Sequence, residues 1–142
     1  MEKKVLVIED SLTQAIVLKR ELEKQGYIVV LAYDGMKGLE AVASFHPDVI
    51  VLDLNIPRMD GIEVCKRLKH QSQVEWIRTI PVLMFSAQTR LSTMNEAYKA
   101  GADHFVTKDR EGAGFLNQLL EATFRRIERR RATSKLSLKA YM

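Results

Sequence analysis

Four short apolar runs punctuate the chain, and each leads to a residue with chemistry of its own. Val5-Leu6-Val7-Ile8 ends in Glu9-Asp10, Val49-Ile50-Val51-Leu52 in Asp53, and Val82-Leu83-Met84-Phe85 in Ser86. The run His104-Phe105-Val106 stops one residue short of Lys108. A further run covers 28–31. Between these runs the apolar residues fall at helical spacing. Leu12, Ala15, Ile16 and Leu22 place a helix over 11–25, with Gly26 as its stop. Further helices are expected over 35–45, before Pro47, over about 61–70, over about 90–100, before Gly101, and from about 112 to about 131. The segment Asn55-Ile56-Pro57-Arg58-Met59-Asp60-Gly61 has turn chemistry.

Five strands alternating with five helices predict an α/β fold with a parallel sheet covered on both faces. Strands buried on both faces read as continuous apolar runs, as these do. In the doubly wound, flavodoxin-like order 2-1-3-4-5, ligands bind beyond the carboxyl ends of strands 1 and 3. Asp10 and Asp53 follow those two strands, so the pattern puts carboxylates where this topology builds sites.

Composition adds limits. At 142 residues the chain is long enough for one domain with a substantial core. It is 46% hydrophobic and 28% charged, ordinary for a globular protein. No apolar run approaches a membrane span or a secretory signal. Cys65 is the single cysteine, which excludes an internal disulfide and a cysteine zinc site, and a cytoplasmic setting is expected. The net charge of +4 is local: residues 1–110 carry 15 basic and 15 acidic side chains, residues 111–142 carry 7 and 3. Arg125, Arg126, Arg129, Arg130 and Arg131 make up most of the excess. Without interleaved aromatic residues, this run is a weak nucleic-acid signal.

Glu9, Asp10 and Asp53 are expected close together. Clustered carboxylates need a cation or a raised pKa, and an all-oxygen donor set favours a hard ion such as Mg²⁺. Lys108 adds a fixed positive charge and Ser86 a hydroxyl donor, a combination suited to a transferring phosphoryl group. Asp53, alone at its strand end, is the candidate nucleophile. Taken singly, three of these residues have plainer readings, Asp10 or Ser86 as a helix cap and Lys108 as a solvated lysine, whereas no helix begins at Asp53.

Four segments carry a resemblance: VLVIEDS (5–11), DVIVLDLNIPRMDGIEVCKRLK (48–69), IPVLMFSAQ (80–88) and GADHFVTKD (101–109). Together they resemble the receiver domain of two-component response regulators, over about residues 4–125. The resemblance implies that Asp53 accepts a phosphoryl group from a sensor histidine kinase or histidine phosphotransfer protein. It implies that Asp10 binds Mg²⁺ directly, Glu9 mainly through water, and Asn55 by its backbone carbonyl. Ser86 and Lys108 would contact the phosphoryl group, and Phe105 would be the aromatic switch. The output would change the face formed by the fourth helix, fifth strand and fifth helix, toward an unidentified partner. Pro57, Asp60 and Gly61 would shape the loop after Asp53. Such a domain catalyses only its own phosphorylation and dephosphorylation and is otherwise not an enzyme.

Three positions depart from the family pattern. Ser86 replaces the commoner threonine and keeps the hydroxyl. Phe105 replaces a frequent tyrosine and lacks one; plain strand core also explains it. Asp109 stands where proline is usual, so the loop after Lys108 is expected to be built differently. A pseudo-receiver without phosphoryl transfer is the main competing reading, and the intact Glu9, Asp10, Asp53, Ser86 and Lys108 set argues against it. An aspartyl phosphatase is disfavoured because position 55 is Asn where a general acid is needed. A flavin site is disfavoured because the loop after the first strand is acidic.

The stripe Phe115, Leu116, Leu119, Leu120, Phe124 and Ile127 predicts core packing up to about 124, with the helix projecting beyond it. The expected division is a receiver domain over 1–125 and a basic helical extension or tail over 126–142. That extension could connect to an effector or support a homodimer; no DNA-binding domain is recognisable in the chain. The chain is expected to be either a stand-alone receiver or the N-terminal piece of a larger regulator. His46, His70 and His104 lack metal spacing, and Trp76 is expected to cover an edge of the core.

Overall fold

The computed structural model describes residues 1–142. Strands β1 (Lys4–Ile8), β2 (Ile28–Ala32), β3 (Val49–Leu52), β4 (Val82–Ser86) and β5 (His104–Thr107) form one parallel sheet in the expected order β2-β1-β3-β4-β5. The main helices are α1 (Leu12–Lys24), α2 (Gly35–Phe45), α3 (Gly61–Lys66), α4 (Leu91–Lys99) and α5 (Gly112–Tyr141). α3 runs on into a wider π-type turn over Arg67–Gln71, and a one-turn helix, Glu75–Arg78, occupies the long connection to β4.

Strand alternation divides the apolar runs between two cores. Leu6, Ile8, Ile50, Leu52, Val82 and Met84 face one side, against Val42 of α2, Val64 and Cys65 of α3, and Ala97 of α4. Val5, Val7, Val49, Val51, Leu83 and Val106 face the other, against Leu22 of α1 and Leu116, Leu120 and Phe124 of α5. Burial pushes the Cys65 thiol up to about 12, so it serves as a small hydrophobe.

Local chemistry sets where the helices start. Ser11 caps α1 through the Gln14 amide (3.4 Å), Asp34 caps α2 through Lys37 (2.7 Å), and Asp60 caps α3 through Glu63 (2.9 Å). The capping readings of Asp10 and Ser86 therefore fall: Ser11 takes the first role, and α4 follows Arg90 without a side-chain cap. Gly26, at φ 93, follows α1 in the left-handed region and turns the chain toward β2.

The last helix departs from expectation. It reaches Tyr141, and it stays tied to the body beyond Phe124. Ile127 packs against the second core, Glu128 lies 3.7 Å from Lys3, and Arg131 Nη2 donates to Asp48 Oδ1 at 2.7 Å. From Ala132 onward every side chain is exposed. The helical stripe thus continues one turn past the point where its large apolar residues thin out, finished by ion pairs.

Candidate functional site

Strand register assembles the site. β1 and β3 pair with Ile8 opposite Leu52, so Glu9 and Asp53 emerge side by side, with the Asp53 amide bonded to the Ile8 carbonyl at 3.0 Å. β4 and β5 pair with Ser86 opposite Thr107, and the Lys108 amide then donates to the Ser86 carbonyl at 2.8 Å. The expected edge thus carries Glu9, Asp10, Asp53, Ser86 and Lys108 together.

Lys108 Nζ donates to Asp53 Oδ2 at 3.0 Å, to Gln14 Oε1 at 2.9 Å and to Glu9 Oε1. It also lies 5.6 Å from the centre of the Phe85 ring. Glu9, Asp53 and Ser86 are buried, whereas Asp10 is exposed. Burial pushes the Glu9 carboxyl up; the bond from Lys108 pulls against that, and neighbouring Asp53 reinforces the rise. Oxygens of Glu9, Asp10 and Asp53 lie within 4.8 Å of one another. Two buried carboxylates and one exposed carboxylate, all hard oxygen donors, fit Mg²⁺ held by few protein ligands with room for water.

The loop after β3 is drawn around Asp53. The Asn55 amide donates to Asp53 Oδ1 at 3.3 Å, and Arg58 sits at φ 68. Gly61 starts α3 hard against this segment: a Cβ there meets the Asp53 carbonyl oxygen at 2.4 Å and Leu54 Cα at 2.8 Å. These are backbone atoms and cannot rotate aside. Gly61→Ala is therefore expected to lower stability by about 1–3 kcal/mol and to weaken phosphoryl-analogue binding at Asp53. Denaturant titration and beryllofluoride binding check the two effects, and an unchanged variant would mean the segment is looser than this contact implies.

The loop carrying Lys108 is indeed built without proline. Asp109 organises it instead, its carboxylate accepting from Thr107 Oγ1 at 2.8 Å and from the Glu111 amide at 3.1 Å. The Thr107 bond holds the Asp109 carboxyl below the usual range. Lys108 still reaches both buried carboxylates. Phe105 is half-buried and packs against the first core.

Two residues join the site that sequence reasoning missed. Gln14, in the first turn of α1, is the neutral acceptor for Lys108. Gln88 bridges Asn55 Oδ1 (3.3 Å) and Thr93 Oγ1 (3.4 Å), while its amide donates to Ser86 Oγ at 3.3 Å. Both lie within a few residues of site positions, the only signal the sequence offers for them.

A family model for the response regulator receiver domain matches residues 5–120. The chain belongs to that family. It is 37% identical over 108 residues to the response regulator MprA of Mycobacterium ulcerans, covering 76% of this chain and 44% of that protein. It is 38% identical to the alkaline phosphatase synthesis transcriptional regulatory protein PhoP of Bacillus subtilis, again covering 76% of this chain and 43% of the relative. The chain thus spans less than half the length of these relatives. Among solved structures, the Francisella response regulator 1452 receiver domain superposes with a TM-score of 0.79 at 29% identity, covering 89% of this chain and 99% of that one. The chemotaxis response regulator CheY4 of Vibrio cholerae gives 0.77 at 28% identity, covering 87% and 99%. The receiver is a module of two-component signal transduction, where signalling depends on phosphorylation. No helix is long and apolar enough to cross a membrane.

Proposed function

We propose that this receiver is a switch set by phosphorylation of Asp53. The donor is a phosphohistidine on a sensor histidine kinase or a histidine phosphotransfer protein. One Asp53 carboxylate oxygen forms the new P–O bond as the P–N bond to the donor imidazole breaks. The observation that carries this reading is the placing of a buried Asp53 carboxylate between the acidic pair and the Lys108 ammonium.

Asp10, Asp53 and the Asn55 carbonyl would hold Mg²⁺, with Glu9 acting through water. When bound, the ion neutralises charge on the phosphoryl oxygens. Lys108 orients another of those oxygens, and Ser86 donates its hydroxyl to a third. Drawing Ser86 toward the phosphoryl group vacates space for Phe105, which alters the surface of α4, β5 and α5 for an output partner. Residues 1–125 constitute the switching unit, and 126–142 a basic extension that carries its output or supports a homodimer. The reach of Lys108 to Asp53, despite Asp109, favours this over a receiver without phosphoryl transfer.

Amide NMR with Mg²⁺ and beryllofluoride, a mimic of the aspartyl phosphate, tests the proposal. Wild type is expected to show saturable, Mg²⁺-dependent shifts around Asp53, Ser86 and Phe105, all lost in Asp53→Asn. A folded wild type without those shifts would sink it. Trp76 fluorescence is a poor reporter here, because Trp76 stacks on His46 at the other edge of the sheet.

A further inference from the structure

The edge of the sheet opposite Asp53 carries a second group of residues, which phosphoryl transfer does not use. His46 closes α2 at φ 54, in the left-handed region that a residue with a Cβ occupies at some strain. Its ring stacks on Trp76 of the one-turn helix, with centroids 4.3 Å apart and planes 10° from parallel. Trp76 is 39% exposed, so this two-ring platform stands at the surface.

The platform borders a hollow of about 420 Å³, walled on its other side by Ile127, Arg130 and Arg131 of α5. A smaller hollow continues past Thr79 and Pro81 and adds Arg126 and His104. The carboxylates here are already engaged. Asp48 is bound by Arg131 at 2.7 Å and by the Lys4 amide at 2.9 Å. Asp103 is bound by Lys69 at 2.9 Å and by the Val82 amide at 2.8 Å. Neither Arg126 nor Arg130 takes part in any of the ion pairs of the chain. This site exists because α5 continues past Phe124, bringing the arginine run beside aromatic rings that are remote in sequence.

Unpaired guanidiniums next to an exposed aromatic stack match a ligand with a flat ring at one end and phosphate at the other. Rings stack on rings, and guanidiniums grip phosphate oxygens in pairs. A bare anion leaves the rings unused, and an apolar ligand leaves the arginines unused. The volume lies within the range of small-molecule sites. We propose that this hollow binds a nucleoside phosphate, with its base against the Trp76–His46 platform and its phosphates on Arg126 and Arg130.

Trp76 is the sole tryptophan, so its fluorescence reads the site directly. The full chain is titrated with GTP, and with tripolyphosphate as a probe lacking the base. GTP is expected to quench saturably, with tripolyphosphate binding about tenfold or more weakly, as measured by calorimetry, because it forgoes stacking. Arg130→Ala is expected to weaken GTP by about tenfold or more. Trp76→Leu, read by calorimetry, should lose a similar factor, and Asp53→Asn should lose nothing. Absence of saturable binding at millimolar GTP overturns the proposal. So does equal affinity for tripolyphosphate, which would mark a plain polyanion patch. Much tighter binding of an oligothymidylate than of GTP would also overturn it, and would assign the groove to a nucleic-acid strand.

Discussion

Lys108→Ala is expected to slow phosphorylation of Asp53 by a small phosphodonor about a hundredfold or more, while Mg²⁺ binding stays intact or tightens. On the proposed mechanism the two effects have opposite signs, because one ammonium does two jobs. In the resting site it donates to Glu9, Asp53 and Gln14, occupying carboxylate oxygens that a metal could otherwise use. Removing it frees those oxygens. During the proposed transfer, however, negative charge builds on oxygens next to Asp53, and a preorganised cation in a largely buried site stabilises it far better than water does. Lys108 is held at 15% side-chain exposure, so little solvent can replace it. Rates with a small phosphodonor and Mg²⁺ titration by NMR separate the effects. Equal losses in both would mean that Lys108 props up the site structurally. An unchanged rate would remove it from the phosphoryl-binding set.

The fold and most of the candidate site were legible because their signals are local. A strand buried on both faces must be apolar throughout, so 49–52 and 82–85 declared themselves, and the residue after each had to stand at the sheet edge. Asp53, Glu9 and Lys108 meet because parallel strands pair in register, and register follows from burial of the apolar runs. Features that depend on side-chain reach were hidden. Nothing in the order of residues indicates that Gln14 bonds Lys108, or that Asp109 closes its loop through Thr107 and Glu111. The difference between buried Glu9 and exposed Asp10 comes from where β1 ends, one residue finer than an apolar run can resolve. His46 looked like a scattered residue and Trp76 like a cover for an edge of the core, since thirty positions of chain separate two rings that touch. The arginines gave only a weak signal because their aromatic neighbours lie on other elements.

The end of the last helix was the hardest boundary to place, and Phe124→Ala is expected to show how far the folded unit depends on it. Phe124 is 1% exposed, and its ring lies 5.2 Å from that of Tyr27, which sits just before β2. The loss is expected to be about 3–5 kcal/mol, the range for truncating a buried phenylalanine. Against the 5–15 kcal/mol typical of a domain, that is a large fraction. The melting midpoint should fall by roughly 10 °C or more. Leu138→Ala, at a position 62% exposed on the same helix, should change stability by less than about 0.5 kcal/mol. Asp48→Ala should fall between them, because it removes the carboxylate that both Arg131 and the Lys4 amide use. This ordering follows from the geometry of attachment: ring in the core, ion pair at the rim, no contact beyond. Thermal unfolding of the three variants measures it. If Leu138→Ala proved as damaging as Phe124→Ala, the exposed final turns would have to be packing against something, and a second copy of the chain would be the first candidate to test by sedimentation.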